Sequence, residues 1–362
     1  MAKLTCALGP DSAGTLVTGF LSGARSHLDC AVYEVGPAYR WLLTVAARRG
    51  VRVRLLLDAH AGDGNRATAE TVLASGGECR VLRTPLGPGH WKLLLADTDR
   101  VAVGSGNLIW RDAPRDRRGR LPPGGEPMSG TREWWVLVHE APSLRRAAAA
   151  HFERAWDVAG PPPDSWALGA ERSPADVGAP PNRTPPLSIE LPEERLELLV
   201  GGPDIAARLG SAFAVAHTRL LVTAPYVHAG SRSVLDLLYG MSNARTERGV
   251  DVRLLLGLET SGPEVAALRR YGVPTAVMDP ARSTAGHAKG AVIDSTVVIG
   301  SANWSRAGLA GAWEAALAVT DVRAADYYAR SLLGDWSVAV PLPNLEARAV
   351  SPQVSGGILG AP

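Results

Sequence analysis

Apolar and polar positions along the chain follow a plan that is written twice. Residues 28–33 predict a strand, 39–49 a helix closed by Gly50, 51–58 a buried strand, and 65–75 a helix stopped by Gly76 and Gly77. The second half replays this order with a strand over 219–225, a helix over 233–247, a strand over 252–258 and a helix over 264–270. A helix over 143–157 closes the first half. Strands alternating with helices predict an α/β fold, each half a mainly parallel or mixed sheet with helices on both faces.

Both halves then carry the same polar residues inside an apolar hairpin. Residues 90–96 read as a strand, 97–100 as a turn and 101–105 as the returning strand. That fold places His90 across from Asn107 and Lys92 across from Ser105. Repeated in the second half, it places His287 across from Asn303 and Lys289 across from Ser301. Residues two apart on a strand share a face, so His, Lys, Ser and Asn are presented together. Asp97 and Asp294 fall at the far turn and read as structural.

Composition changes the picture little, except in its lysines. The 362 residues, 46% of them hydrophobic, suffice for two domains, and no run approaches the roughly 18 apolar residues of a membrane span. The start of the chain lacks a secretory leader pattern, so the expected location is the cytoplasm or its membrane surface. Three cysteines without Cys-x-x-Cys spacing read as reduced thiols. A net charge of +2 implies no polyanionic partner by itself. Of 38 basic residues only Lys3, Lys92 and Lys289 are lysine, and two of these three lie in the repeated motif. There a compact ammonium is not interchangeable with a guanidinium.

Outside the repeat, residues 160–187 are crowded with proline and read as a linker between halves at 1–159 and 188–350, and residues 351–362 as a flexible tail. Between the Ser-x-Asn segment and the next shared glutamate, Glu133 or Glu314, the first half holds about 15 extra residues, on the rule that repeat insertions form loops. This insertion opens with an arginine-rich run over 111–120. It reads either as a clamp for an anionic substrate or as a solvated loop.

The duplicated His-x-Lys-x4-Asp and Gly-Ser-x-Asn pattern resembles the phospholipase D superfamily. The resemblance implies two halves related by a pseudo-twofold axis, with one active site at the seam and a single chain supplying both half-sites. It implies a two-step phosphodiester reaction through a phosphohistidine, with His90 as nucleophile and His287 as general acid and base. Lys92, Lys289, Asn107 and Asn303 would donate to the phosphate oxygens, with Ser105 and Ser301 adding hydroxyls. A carboxylate holds each histidine's other ring nitrogen, and Glu133 and Glu314 lie at the matching positions. Tyr33, Tyr226 and Trp304 are candidate substrate contacts.

No cofactor is implied, and no metal is expected, because the motifs lack a second histidine or cysteine and a lysine ammonium cannot ligate. Three functions compete. Tryptophans near the motifs favour a phospholipid hydrolase or transferase, which would touch a membrane peripherally. The arginine-rich run favours a metal-independent nuclease. A phosphate-binding scaffold without catalysis is the third, opposed by the full set of reactive groups in both copies.

Overall fold

The computed structural model describes residues 1–61, 63–83, 89–114, 129–164, 166, 184–257, 262–279, 284–311 and 313–342. The first half runs β1 (Ala2–Gly9), α1 (Ala13–Ser22), β2 (His27–Val32), α2 (Pro37–Arg48), β3 (Arg52–Asp58), α3 (Asp63–Ala74), β4 (Glu78–Leu82), β5 (Lys92–Ala96), β6 (Arg100–Gly104), β7 (Glu133–His139), α4 (Pro142–Val158) and β8 (Leu187–Leu191). The second continues with β9 (Leu196–Val200), α5 (Gly202–Ala214), β10 (Arg219–Ala224), α6 (Arg232–Arg248), β11 (Asp251–Leu256), α7 (Gly262–Tyr271) and β12 (Thr275–Val277). It ends with β13 (Gly290–Ile293), β14 (Thr296–Gly300), β15 (Ala315–Thr320), α8 (Val322–Val338) and β16 (Val340–Pro341).

The strands form two eight-stranded sheets, ordered β4-β3-β2-β5-β6-β7-β1-β8 and β16-β12-β11-β10-β13-β14-β15-β9. Each is mixed. The strands that alternate with helices, β2 to β4 and β10 to β12, pair parallel. The motif hairpins, joined by short turns, pair antiparallel, and so do the strands beyond them. The strand β8, expected to belong to the second half, pairs with β1 and edges the first sheet instead.

Helices cover both faces of each sheet. α1 and α2 bury Phe20, Leu42 and Leu43 against one outer face, and α5 and α6 bury Ile205, Phe213 and Leu238 against the other. The inner faces share one core. Leu93, Val103 and Val136 of the first sheet join Val292, Val297 and Leu317 of the second, with Phe152 of α4 and Tyr328 of α8 between them.

The hairpin register differs from expectation by one residue. Ala96 pairs with Arg100 and Leu93 with Val103, so the register sets Lys92 opposite Gly104 rather than Ser105. In the second half Gly290 pairs with Ile299, which sets Lys289 opposite Gly300, and Gly300 N donates to Lys289 O at 3.1 Å. The cause lies at the turns. Asp97 and Asp294 adopt φ of 51° and 50°, which reverses the chain more tightly than a four-residue turn does. His90 and Asn107 therefore lie beyond the last ladder pair, in loops.

Candidate active site

Those loops cross from one half to the other. Gly89 bridges in parallel to Trp313, and His90 N donates to Trp313 O at 3.0 Å. Symmetrically, Arg132 bridges to Gly286, and His287 N donates to Arg132 O at 3.0 Å. Trp313 and Arg132 immediately precede Glu314 and Glu133, so each histidine is stitched beside the glutamate of the opposite half.

The side chains complete the exchange. His90 Nδ1 lies 3.0 Å from Ser301 O and 3.4 Å from Glu314 Oε1. His287 Nδ1 lies 2.5 Å from Glu133 Oε1. Ser105 Oγ donates to Glu133 Oε2 at 2.5 Å, and Ser301 Oγ donates to Glu314 Oε2. Lys92 Nζ donates to His90 O at 2.5 Å, while Lys289 Nζ donates to His287 O at 2.7 Å and to Ser105 O at 3.2 Å. Both glutamates and both lysines are buried, and the two imidazoles keep a small exposed fraction, 13% and 19%.

Burial sets the electrostatics. It holds Lys92 down to about 7, helped by Lys289, and Lys289 down to about 8. Burial followed by the nearer lysine lowers both imidazoles, Lys92 acting on His90 and Lys289 on His287. Burial raises the Glu133 carboxyl, against the pull of Lys289. His287 also feels Lys92 and His90 from the opposite half, which places the two motifs in one electrostatic unit.

Several residues sit otherwise than the sequence suggests. Ser105 and Ser301 spend their hydroxyls on the glutamates and on the backbone N–H groups of Trp134 and Ala315, so they brace carboxylates instead of facing substrate. Trp304 is 3% exposed and packs against Phe213 in the outer core, which removes it from the substrate contacts. Trp91 and Trp134 are buried too, whereas Trp110 is 39% exposed. Tyr33 does reach the site, its ring 5.2 Å from His90 and 5.6 Å from Lys92 Nζ. The Tyr226 ring lies 4.8 Å from that of His228. The greater part of the arginine-rich insertion, residues 115–128, lies outside the described residues.

Asp112, which the sequence reading passed over as part of that insertion, is fully buried beside the site. Its Oδ2 accepts Asn107 N at 2.9 Å and Asn107 Nδ2 at 3.1 Å, and its Oδ1 accepts Thr131 Oγ1 at 3.1 Å. Asp112, Glu133 and His287 offer ligand atoms within 4.8 Å of one another, a donor set of the kind a divalent ion uses. The arrangement does not fit one. Lys289 Nζ already stands 3.0 Å from both His287 ring nitrogens, and each carboxylate oxygen of Asp112 and Glu133 already accepts a hydrogen bond.

Comparisons with known proteins bear on the family and the fold. A family model described as cardiolipin synthase, PLD-like domain, matches residues 17–117 and 209–336. Phosphatidylserine synthase from Haemophilus influenzae superposes with a TM-score of 0.62 at 11% identity, covering 93% of this chain and 87% of that one. Polyphosphate kinase from Porphyromonas gingivalis gives a TM-score of 0.58 at 14% identity, covering 91% of this chain but only 50% of its own length. The Nuc protein from Salmonella typhimurium is 21% identical and matches 44% of this chain, with a TM-score of 0.37. No curated protein matches in sequence.

Proposed function

Since the chain belongs to the phospholipase D-like family, we propose that it cleaves the headgroup phosphodiester of phospholipids, with His90 as nucleophile and His287 as proton donor. The observation that carries this reading is the crossed pairing of each imidazole with the other half's carboxylate, His90 with Glu314 and His287 with Glu133.

Backbone carbonyls only accept, so the Ser301 O contact puts a hydrogen on His90 Nδ1 and leaves the Nε2 lone pair for phosphorus. In the first step the Nε2–P bond forms as the P–O bond to the leaving group breaks, and His287 gives that oxygen its proton. In the second, water or an alcohol passes its proton to His287 while its oxygen displaces His90 from phosphorus. Lys92 and Lys289 supply positive charge to the phosphate oxygens. Asn107 has one amide N–H to give, since Asp112 takes the other.

Two observations favour lipid over nucleic acid. The family description and one solved structure that matches most of both chains carry phospholipid names, cardiolipin synthase and phosphatidylserine synthase. Trp110, exposed just beyond Asn107, suits a bilayer interface. The test is to incubate the protein with chelator on phosphatidylglycerol or phosphatidylcholine vesicles and on single-stranded DNA. Free headgroup, or headgroup exchange when an alcohol is added, is the expected outcome. Cleaved DNA with intact lipid would move the assignment to the nuclease reading.

A further inference from the structure

The two half-sites are not equal. Asp112 stands five residues after Asn107, and the position five after Asn303 is Gly308. A side chain there has no room, since a Cβ on Gly308 would meet Asn303 O at 2.2 Å. The carboxylate is thus confined to one side of the seam. It sits there on a firm support, for Tyr39 Oη donates to Ala113 O at 2.7 Å and Thr131 N donates to Arg111 O at 2.8 Å.

Resting on the phosphodiesterase reading above, we propose that Asp112 is a positioning residue that holds Asn107 and commits His287, not His90, to carrying the proton for the leaving group.

The argument is one of charge. Lys92 and Lys289 offset Glu133 and Glu314 one for one, and Asp112 is the buried carboxylate left over. Its ligand atom lies within 4.8 Å of those of His287 and Glu133, so an imidazolium at His287 balances it. Among the described residues the groups facing His287 are Glu133 from β7, Lys289 from the same loop, Lys92 and His90 from the opposite motif, and Asp112. Burial, the two lysines and, whenever it is charged, His90 disfavour the charged ring, and Asp112 opposes them. Arg111 Nε stands 3.5 Å from Asp112 Oδ1, but its side chain is 28% exposed and water screens it. Among the described residues Glu314 is the one carboxylate within ion-pair distance of the His90 ring, whose Nδ1 is also held by a neutral carbonyl.

Asp112→Asn preserves size and an acceptor for Asn107 while removing the charge. Two phosphodiesters with the same retained group separate its effects, one releasing p-nitrophenol, which departs without a proton, and one releasing an alkanol, which needs it. Loss of a general acid costs about 10²–10⁴-fold, so we expect D112N to fall by at least about tenfold on the alkanol ester and to stay within about threefold on the p-nitrophenyl ester. The alkaline limb of its rate profile should move to lower pH, because the ring gives up its proton more easily. Equal losses on both esters, or an unmoved alkaline limb, would overturn the proposal.

If D112N does not fold, His287→Ala and His90→Ala decide the matter. On the p-nitrophenyl ester, H287A should release one equivalent of p-nitrophenol per site and trap the phosphohistidine, and H90A should release none. The reverse pattern overturns the proposal while sparing the two-step chemistry. A wild-type protein inert on both esters ends the phosphodiesterase reading and this inference together.

Discussion

Lys92 has no exposed surface, and its ammonium reaches His90 O at 2.5 Å and the face of Tyr33 at 5.6 Å. Such a group costs stability whenever it is charged, because the protein desolvates it more than the unfolded chain does. With the folded pKa pushed down to about 7, the cost is full below pH 7 and fades as the pH climbs toward the ordinary lysine value near 10.5. Lys92→Met should therefore abolish phosphodiester turnover and yet raise the thermal midpoint by roughly 2–4 °C for each kcal/mol recovered. The gain should be greatest below pH 7 and shrink toward pH 10, read by calorimetry across that range. A lower midpoint at pH 6 would mean that the ammonium is held by more than it loses.

At the scale of elements, the hairpins carry the site and their turns secure it. Asp97 accepts the backbone N–H groups of Arg25 and Ser26 at 3.0 and 2.8 Å, and Asp294 those of His217 and Thr218 at 2.9 and 2.8 Å, so each hairpin tip is tied to the chain entering β2 or β10. Hydrogen bonds hold the Asp294 carboxyl down to about 2, against burial. Its stabilising contribution is complete above pH 4 and is lost as the pH falls from 4 toward 2. Asp294→Asn should then lose about 1–3 kcal/mol at pH 7, measured by urea unfolding, and less at pH 3. A loss that does not depend on pH would count against the charge.

These elements were the legible part of the chain. The apolar pattern and the glycine stops marked β2, α2, β3, α3, β5, β6, α4, β10, α6, β11 and α7 to within two residues but not β1, α1, α5 or α8, and the repeat marked both histidines, lysines and glutamates. The register slipped because the positive φ of Asp97 and Asp294 is not a property of the hydrophobic pattern. Asp112 was hidden in a loop whose composition reads as solvent-facing. Nothing local distinguishes a carboxylate buried by a distant strand from one left in water. Arg132 was missed for the same reason. Its guanidinium donates to both Asp335 oxygens, at 2.7 and 3.0 Å, and to Asp11 at 3.1 Å, partners that lie far away in sequence.

The whole molecule is bound by that same traffic between halves. Tyr328 of α8 donates to Trp135 O, Arg132 pairs with Asp335, and a Cβ on Gly290 would come within 2.5 Å of the Trp134 ring. With the inner faces of both sheets sharing one core, the halves should not unfold separately. Thermal denaturation followed by circular dichroism and by tryptophan fluorescence should give coincident single transitions. Two resolved midpoints would show that the shared inner core does not couple the halves.

The crossed wiring of the imidazoles carries a consequence for how the protein comes into being. While the ribosome has delivered only the first two hundred or so residues, at its usual ~5–20 residues per second, His90 has neither Ser301 nor Glu314 to orient it. If His90 is the nucleophile proposed above, its imidazole is oriented for the reaction only once the strands that bring Ser301 and Glu314 have arrived.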